Sequence, residues 1–155
     1  VFEIAQLLTS KTVRVQLPGS TKAEVLKHLL ELLEDDPRIG DFERVREAVL
    51  VREALMSTGV GKGLALPHAR TSAVDEIVAA FATSAHPVPF DAIDGEPVQL
   101  YFLLVGPENA RSEHIKTMSR VSRLMNEAAF REQLLAAKSA AAIIALFEES
   151  ERNLG

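Results

Sequence analysis

Cysteine and tryptophan are absent from this chain, and tyrosine occurs once. The missing thiols exclude disulfides, thiolate catalysis and most structural zinc sites. With so few large aromatics there is no evident platform for stacking sugars or bases. Lys and Arg number 17 against 22 Asp and Glu, a net charge of −5, and they form no long basic block. That balance argues against nucleic acid, which is held by clustered cations, and gives no reason to expect contact with lipid. No apolar run approaches the ~20 residues of a membrane span; the longest, 100–105 and 140–146, are strand- and helix-sized. The opening Val1-Phe2-Glu3 has no secretory pattern. It also lacks Met, as expected of a trimmed or excised chain, and a cytoplasmic setting is expected. Histidine, carboxylate, hydroxyl, Lys and Arg remain for chemistry.

What is present fits one domain of 155 residues with ordinary apolar content, 47%. Residues 12–17 alternate apolar and polar, a half-buried strand. Thr21 with Glu24 forms a capping box for a helix carrying Val25, Leu26, Leu29, Leu30 and Leu33. Asp41 caps a second helix over 42–55, with Val45, Ala48, Val49 and Arg52 in step. Residues 76–83 read as a strand and 86–89, His-Pro-Val-Pro, as an irregular connection. Residues 98–105 are almost wholly apolar, so that strand is central and covered on both faces. Gly106-Pro107 ends it, and Ser112 starts a helix with an apolar stripe of Ile115, Met118, Val121, Leu124 and Met125. Two further helices, 130–137 and 139–149, close the chain. The expected fold is α/β: a mixed, roughly five-stranded sheet flanked by helices in a single compact domain.

The stretch from Thr58 to Arg70, Thr-Gly-Val-Gly-Lys-Gly-Leu-Ala-Leu-Pro-His-Ala-Arg, carries the most chemistry. Leu64-Ala65-Leu66 reads as a short buried strand, and Pro67 stops it. His68 then stands where a rigid strand gives way to a loop, able to act as nucleophile, base or metal ligand. Arg52, sixteen residues earlier, follows the buried face of its helix, so its guanidinium leans inward toward a planar anion. His114 opens the helix after the central strand, where anions are favoured. His28 and His86 read as inert surface residues. Two histidines with no acidic partner make a poor metal centre, and no Gly-x-Ser-x-Gly supports a hydrolase. Neither a metal nor a cofactor is expected.

Arg52-Glu53, Thr58 to His68, Phe90 to Val98, the apolar strand ending Gly106-Pro107, and His114 together resemble the fructose/mannitol-type enzyme IIA of the bacterial phosphoenolpyruvate-dependent sugar phosphotransferase system. This group includes the nitrogen-regulatory enzyme IIA. The resemblance covers nearly the whole chain and implies one type-2 IIA domain over residues 1–155. It implies that His68 accepts a phosphoryl group from the phosphocarrier HPr and passes it to an enzyme IIB for uptake of a fructose- or mannitol-like sugar. Arg52 and His114 would support the reaction. Arg52, the Thr58 hydroxyl and the amides of Gly59 and Gly61 would bind the phosphoryl group, and the glycines would leave room for a docking protein. Arg70 and Lys62 read as exposed charges. The family's IIB partners usually use a cysteine; with none here, IIB is expected on another chain or in an excised portion. The alternative is a nitrogen-regulatory IIA whose phosphorylation state controls other proteins. A less favoured one is a non-catalytic ligand-sensing domain.

Overall fold

The computed structural model describes residues 3–154; Val1 and Phe2 of the opening stretch, and Gly155, lie outside them. In chain order come α1 (Ile4–Leu7), β1 (Val13–Leu17), α2 (Lys22–Glu31) and α3 (Phe42–Leu55). Three short strands follow, β2 (Gly59–Gly61), β3 (Leu64–Ala65) and β4 (His68–Arg70), and then two long ones, β5 (Val78–Val88) and β6 (Val98–Gly106). The chain ends with α4 (Arg111–Met125), α5 (Ala128–Ala136) and α6 (Ala140–Arg152). Side-chain caps start three of these helices: Thr21 accepts from the Glu24 amide, Asp41 from that of Arg44 and Ser139 from that of Ala142.

The sheet is mixed, with order β1-β5-β6-β3-β2 and β4 also on β6. β5 and β6 are antiparallel, whereas β1 runs parallel to β5, and β3 and β4 run parallel to β6. The expected count of about five becomes six because Pro67 divides one line of chain into β3 and β4. Proline has no N–H to give the ladder, but its carbonyl still accepts from the Leu104 amide at 3.0 Å. His68 therefore stays in register, opposite Leu104.

Alternation along β5 and β6 sends apolar side chains both ways. Ala80, Ala82, Tyr101 and Leu103 pack with α2 and α3 on one face. Ala79, Phe81, Leu100 and Phe102 pack with α1, α4, α5 and α6 on the other. Phe147 of α6 lies at the centre of that second core, edge-on to Phe81 at 5.4 Å and to Phe130 at 5.2 Å. A central strand covered on both faces is what the apolar run 98–105 requires.

Several local expectations change. β5 continues through His86-Pro87 instead of ending at 83. The ladder shifts between Thr83↔Leu100 and Val88↔Val98, so the segment bulges and Pro87 sits where no ladder donor is needed. The glycine stretch is a hairpin, with Lys62 and Gly63 at φ 59° and 75° forming its turn. His68 opens a strand, not a loop. Helix α4 starts at Arg111 on an uncapped Ala110, and Ile115 faces outward, about half exposed.

Candidate active site

His68 is fixed by backbone on both sides. β4 places its Cα beside Leu104, and its ring Nδ1 lies 2.8 Å from the Leu66 carbonyl oxygen. A carbonyl only accepts, so Nδ1 carries the proton and the lone pair resides on Nε2. The half-buried ring lines a cleft of ≈ 410 Å³ with Arg52, Thr58, Val60, Ile93 and Met118 among its walls.

His114 comes from the first turn of α4, just after β6 ends. Its ring centroid is 5.6 Å from that of His68, with the planes 50° apart. The side chain is buried, and among the described residues neither ring nitrogen has a hydrogen-bond partner. Gly106 makes this position possible: a Cβ there would lie 2.9 Å from His114 Nδ1. Arg70 stands opposite Gly106 across the ladder, exposed, with Nη1 donating to the Glu108 carbonyl at 3.2 Å.

Burial, reinforced by repulsion from His68 and the Arg70 guanidinium, pushes the His114 pKa from 6.5 down to about 4. The imidazole is thus neutral near pH 7. As the pH falls below 6.5 the unfolded chain binds a proton that the folded protein refuses until about pH 4. The stability tied to His114 is therefore full above 6.5 and is lost on the way down, by roughly 3 kcal/mol. Denaturant unfolding measured from pH 7 to pH 4 should show the native protein losing about that much more than His114→Gln. Parallel profiles would mean that His114 titrates normally.

Arg52 is half-buried on the cleft wall, and its Nη1 donates to the Met56 carbonyl at 2.8 Å. The buried stripe of α3 is Val45, Val49 and Glu53, with Arg52 beside it and Leu55 mostly exposed. The structure thus puts Arg52 and His68 on one cleft, with the His114 ring packed beside that of His68. Thr58 lies there too, but it is buried and its hydroxyl donates to the Glu53 carboxylate. The Gly59 amide is engaged by Ser57 Oγ at 3.1 Å. Gly59 and Gly61 make room within the chain: a Cβ on Gly59 would come 2.8 Å from Ala92 Cα, and one on Gly61 3.3 Å from Asp94 Oδ2. The segment around Ala92 therefore packs directly against the glycine hairpin.

Two roles escape the sequence reading, in which Glu53 stands only within the Arg52-Glu53 pair and Lys22 has none. Glu53 accepts from the Thr58 amide at 2.8 Å and pairs with Lys22 Nζ at 2.9 Å. Its place four residues after Val49 on the buried stripe was the available signal. Lys22 also lies 4.7 Å over the Phe90 ring and 4.0 Å from the Asp91 carboxylate. No sequence pattern links α2 to that corner.

A family profile described as "Phosphoenolpyruvate-dependent sugar phosphotransferase system, EIIA 2" matches residues 6–150. The fructose-specific EIIA component of Haloferax volcanii is 35% identical, over 90% of this chain and 90% of its own length. A nitrogen regulatory protein of Pseudomonas aeruginosa is 34% identical, over 92% of this chain and 93% of its own. The fructose-specific EIIABC component of Bacillus subtilis is 33% identical across 97% of this chain, which spans only 24% of that larger protein. Among solved structures, the nitrogen regulatory protein IIA-Ntr from Neisseria meningitidis superposes with a TM-score of 0.86 at 33% identity, covering 93% of this chain and 98% of its own. The mannitol IIA of Escherichia coli shares the fold, with a TM-score of 0.77 at 22% identity over 90% of this chain and 98% of its own. With 145 of its residues spanned by the profile and relatives of this identity along most of its length, the chain belongs to the EIIA type-2 family of the phosphoenolpyruvate-dependent sugar phosphotransferase system.

Proposed function

We propose that residues 1–155 form an enzyme IIA domain in which His68 is transiently phosphorylated. The reading is carried by the Nδ1 hydrogen bond to the Leu66 carbonyl, which presents Nε2 as the nucleophile. The Nε2 lone pair attacks the phosphorus of a phosphohistidine on the phosphocarrier HPr. The donor's N–P bond breaks, and its electron pair returns to the donor imidazole. The product keeps its proton on Nδ1, still donated to the Leu66 carbonyl, so no base is needed. Little covalent work falls to the protein, and positioning and charge compensation supply the acceleration. The Arg52 guanidinium would meet the phosphoryl oxygens, and His114 would donate from its neutral ring. Apolar, exposed Val60, Ile93 and Met56 around the cleft give a carrier protein a dry surface on which to seat. The next acceptor would be an enzyme IIB serving a fructose- or mannitol-like sugar, in a cytoplasmic relay.

A nitrogen-regulatory role is the second reading. Supporting it, a nitrogen regulatory relative aligns over 93% of its own length at 34% identity, close to the 35% of the fructose-specific EIIA component. Both readings need the same phosphohistidine. Incubation with phosphoenolpyruvate, enzyme I and HPr should add one phosphate that is acid-labile and base-stable, read by intact mass. A protein that takes up none would refute both. Onward transfer to a fructose-type IIB separates them, being expected for the relay and dispensable for the regulator.

A further inference from the structure

Glu53 is a buried carboxylate that the phosphoryl chemistry does not use. Its side chain is 4% exposed, and removing a carboxylate from water costs several kcal/mol unless donors compensate. Three do: the Thr58 amide at 2.8 Å, the Thr58 hydroxyl, and Lys22 Nζ at 2.9 Å. The path continues beyond Thr58. The Thr58 carbonyl accepts from the Leu66 amide at 2.9 Å, and the Leu66 carbonyl accepts from His68 Nδ1 at 2.8 Å. One carboxylate therefore holds the residue that aligns Leu66, and Leu66 holds the imidazole. Arg52 restrains the same corner from its other end through the Met56 carbonyl.

We propose that Glu53 is a positioning residue: by anchoring Thr58 it sets the Leu66 carbonyl that fixes the tautomer and orientation of His68. It acts through the hairpin backbone and does not touch the phosphoryl group. Only the rate part of this inference rests on the phosphoacceptor reading. Its essential feature is the anchor to Thr58, and the charge opposite Lys22 is secondary.

Two variants separate anchor from charge. Glu53→Gln keeps the length and can still accept from the Thr58 amide, with the hydroxyl reversing to accept from the new NH2. It loses the ion pair. Glu53→Asp keeps the charge for Lys22 but is one methylene short of Thr58. Nitrogen-15 NMR of the imidazole reads the tautomer directly, and labelling by phosphoramidate reads the nucleophile without a docking partner. In that reaction Nε2 forms the new N–P bond while ammonia leaves with its electron pair and a proton. The native protein and E53Q should show a single Nδ1–H tautomer and similar rates. E53D should show a tautomer mixture and labelling slowed roughly 10- to 100-fold. The inference is overturned if E53D keeps the native tautomer and rate, or if E53Q is as impaired as E53D. Should E53D not fold, E53Q decides alone, and loss of the single tautomer there counts against it. A native protein that phosphoramidate does not label would refute the phosphoacceptor reading, while the tautomer measurement would still judge Glu53.

Discussion

A His68→Ala variant is expected to accept no phosphoryl group, whereas His114→Ala should still accept one, about 10²–10³-fold more slowly. The contrast follows from how the two rings are held. His68 lines the cleft with Nδ1 committed to a carbonyl, leaving Nε2 as its nucleophilic nitrogen. His114 is buried and does not line the cleft, and its Nδ1 is pressed toward Gly106, so it cannot replace the lost acceptor. Burying an imidazole whose nitrogens bond to nothing nearby costs ~1–3 kcal/mol. Such an arrangement makes sense where an anion arrives at the next ring, 5.6 Å away, and takes a ready donor. Neutrality near pH 7 leaves His114 one N–H and no desolvated positive charge to maintain when His68 is unmodified. Intact mass after incubation with the phosphocarrier chain checks the first variant, and rapid-quench labelling checks the second. Phosphate remaining on His68→Ala would move the acceptor elsewhere. An unchanged rate in His114→Ala would remove that ring from the site.

The fold was legible where a pattern is local. The apolar run 98–105 is the buried β6, and Thr21 and Asp41 cap helices because a cap needs only the next few residues. The run from Thr58 to His68 likewise marked the cleft; Arg52 lines it, and His114 lies behind it against the His68 ring. Failures came where the deciding partner is distant. The prolines after His86 suggested an irregular connection following a strand that ends at 83, but β5 runs on to Val88 with a bulge against β6, and bulges depend on the partner strand. The glycines at 59 and 61 also answer a need inside the chain that no local pattern shows: Ala92, more than thirty residues on, packs against Gly59. Spacing put Arg52 on or beside the buried face of α3, and it lies beside it; what spacing did not show is that Glu53, one residue further round, is the buried one. A charged residue inside a helix reads as solvated until a lysine from another helix is seen to meet it.

Glu151→Gln is expected to cost about 3–5 kcal/mol of stability, nearly as much as Glu151→Ala. The side chain of Glu151 is fully buried, and its carboxylate accepts from the amides of Ile4 at 2.6 Å and Ala5 at 2.8 Å and from Arg120 Nε at 2.7 Å. Three elements, α1, α4 and α6, are thereby tied through one anion. An amide in its place retains a single acceptor oxygen and turns an NH2 toward groups that are all donors, so equal size does not rescue it. Two buried backbone N–H groups and a guanidinium then compete for that oxygen. For a domain of this length the loss corresponds to a fall of roughly 10 °C in melting temperature. Chemical denaturation gives the energy, and Arg120→Met in a double-mutant cycle isolates the ion pair from the amide bonds. A change in Glu151→Gln below about 0.5 kcal/mol, the range of ordinary surface substitutions, would show that the carboxylate does not hold these helices. Transfer to His68 at a temperature where the variant remains folded should be nearly native, because Arg120 meets Glu151 well past the first turn of α4 where His114 stands. Equal losses of stability and transfer would instead mean that the far end of α4 sets the position of its active-site ring.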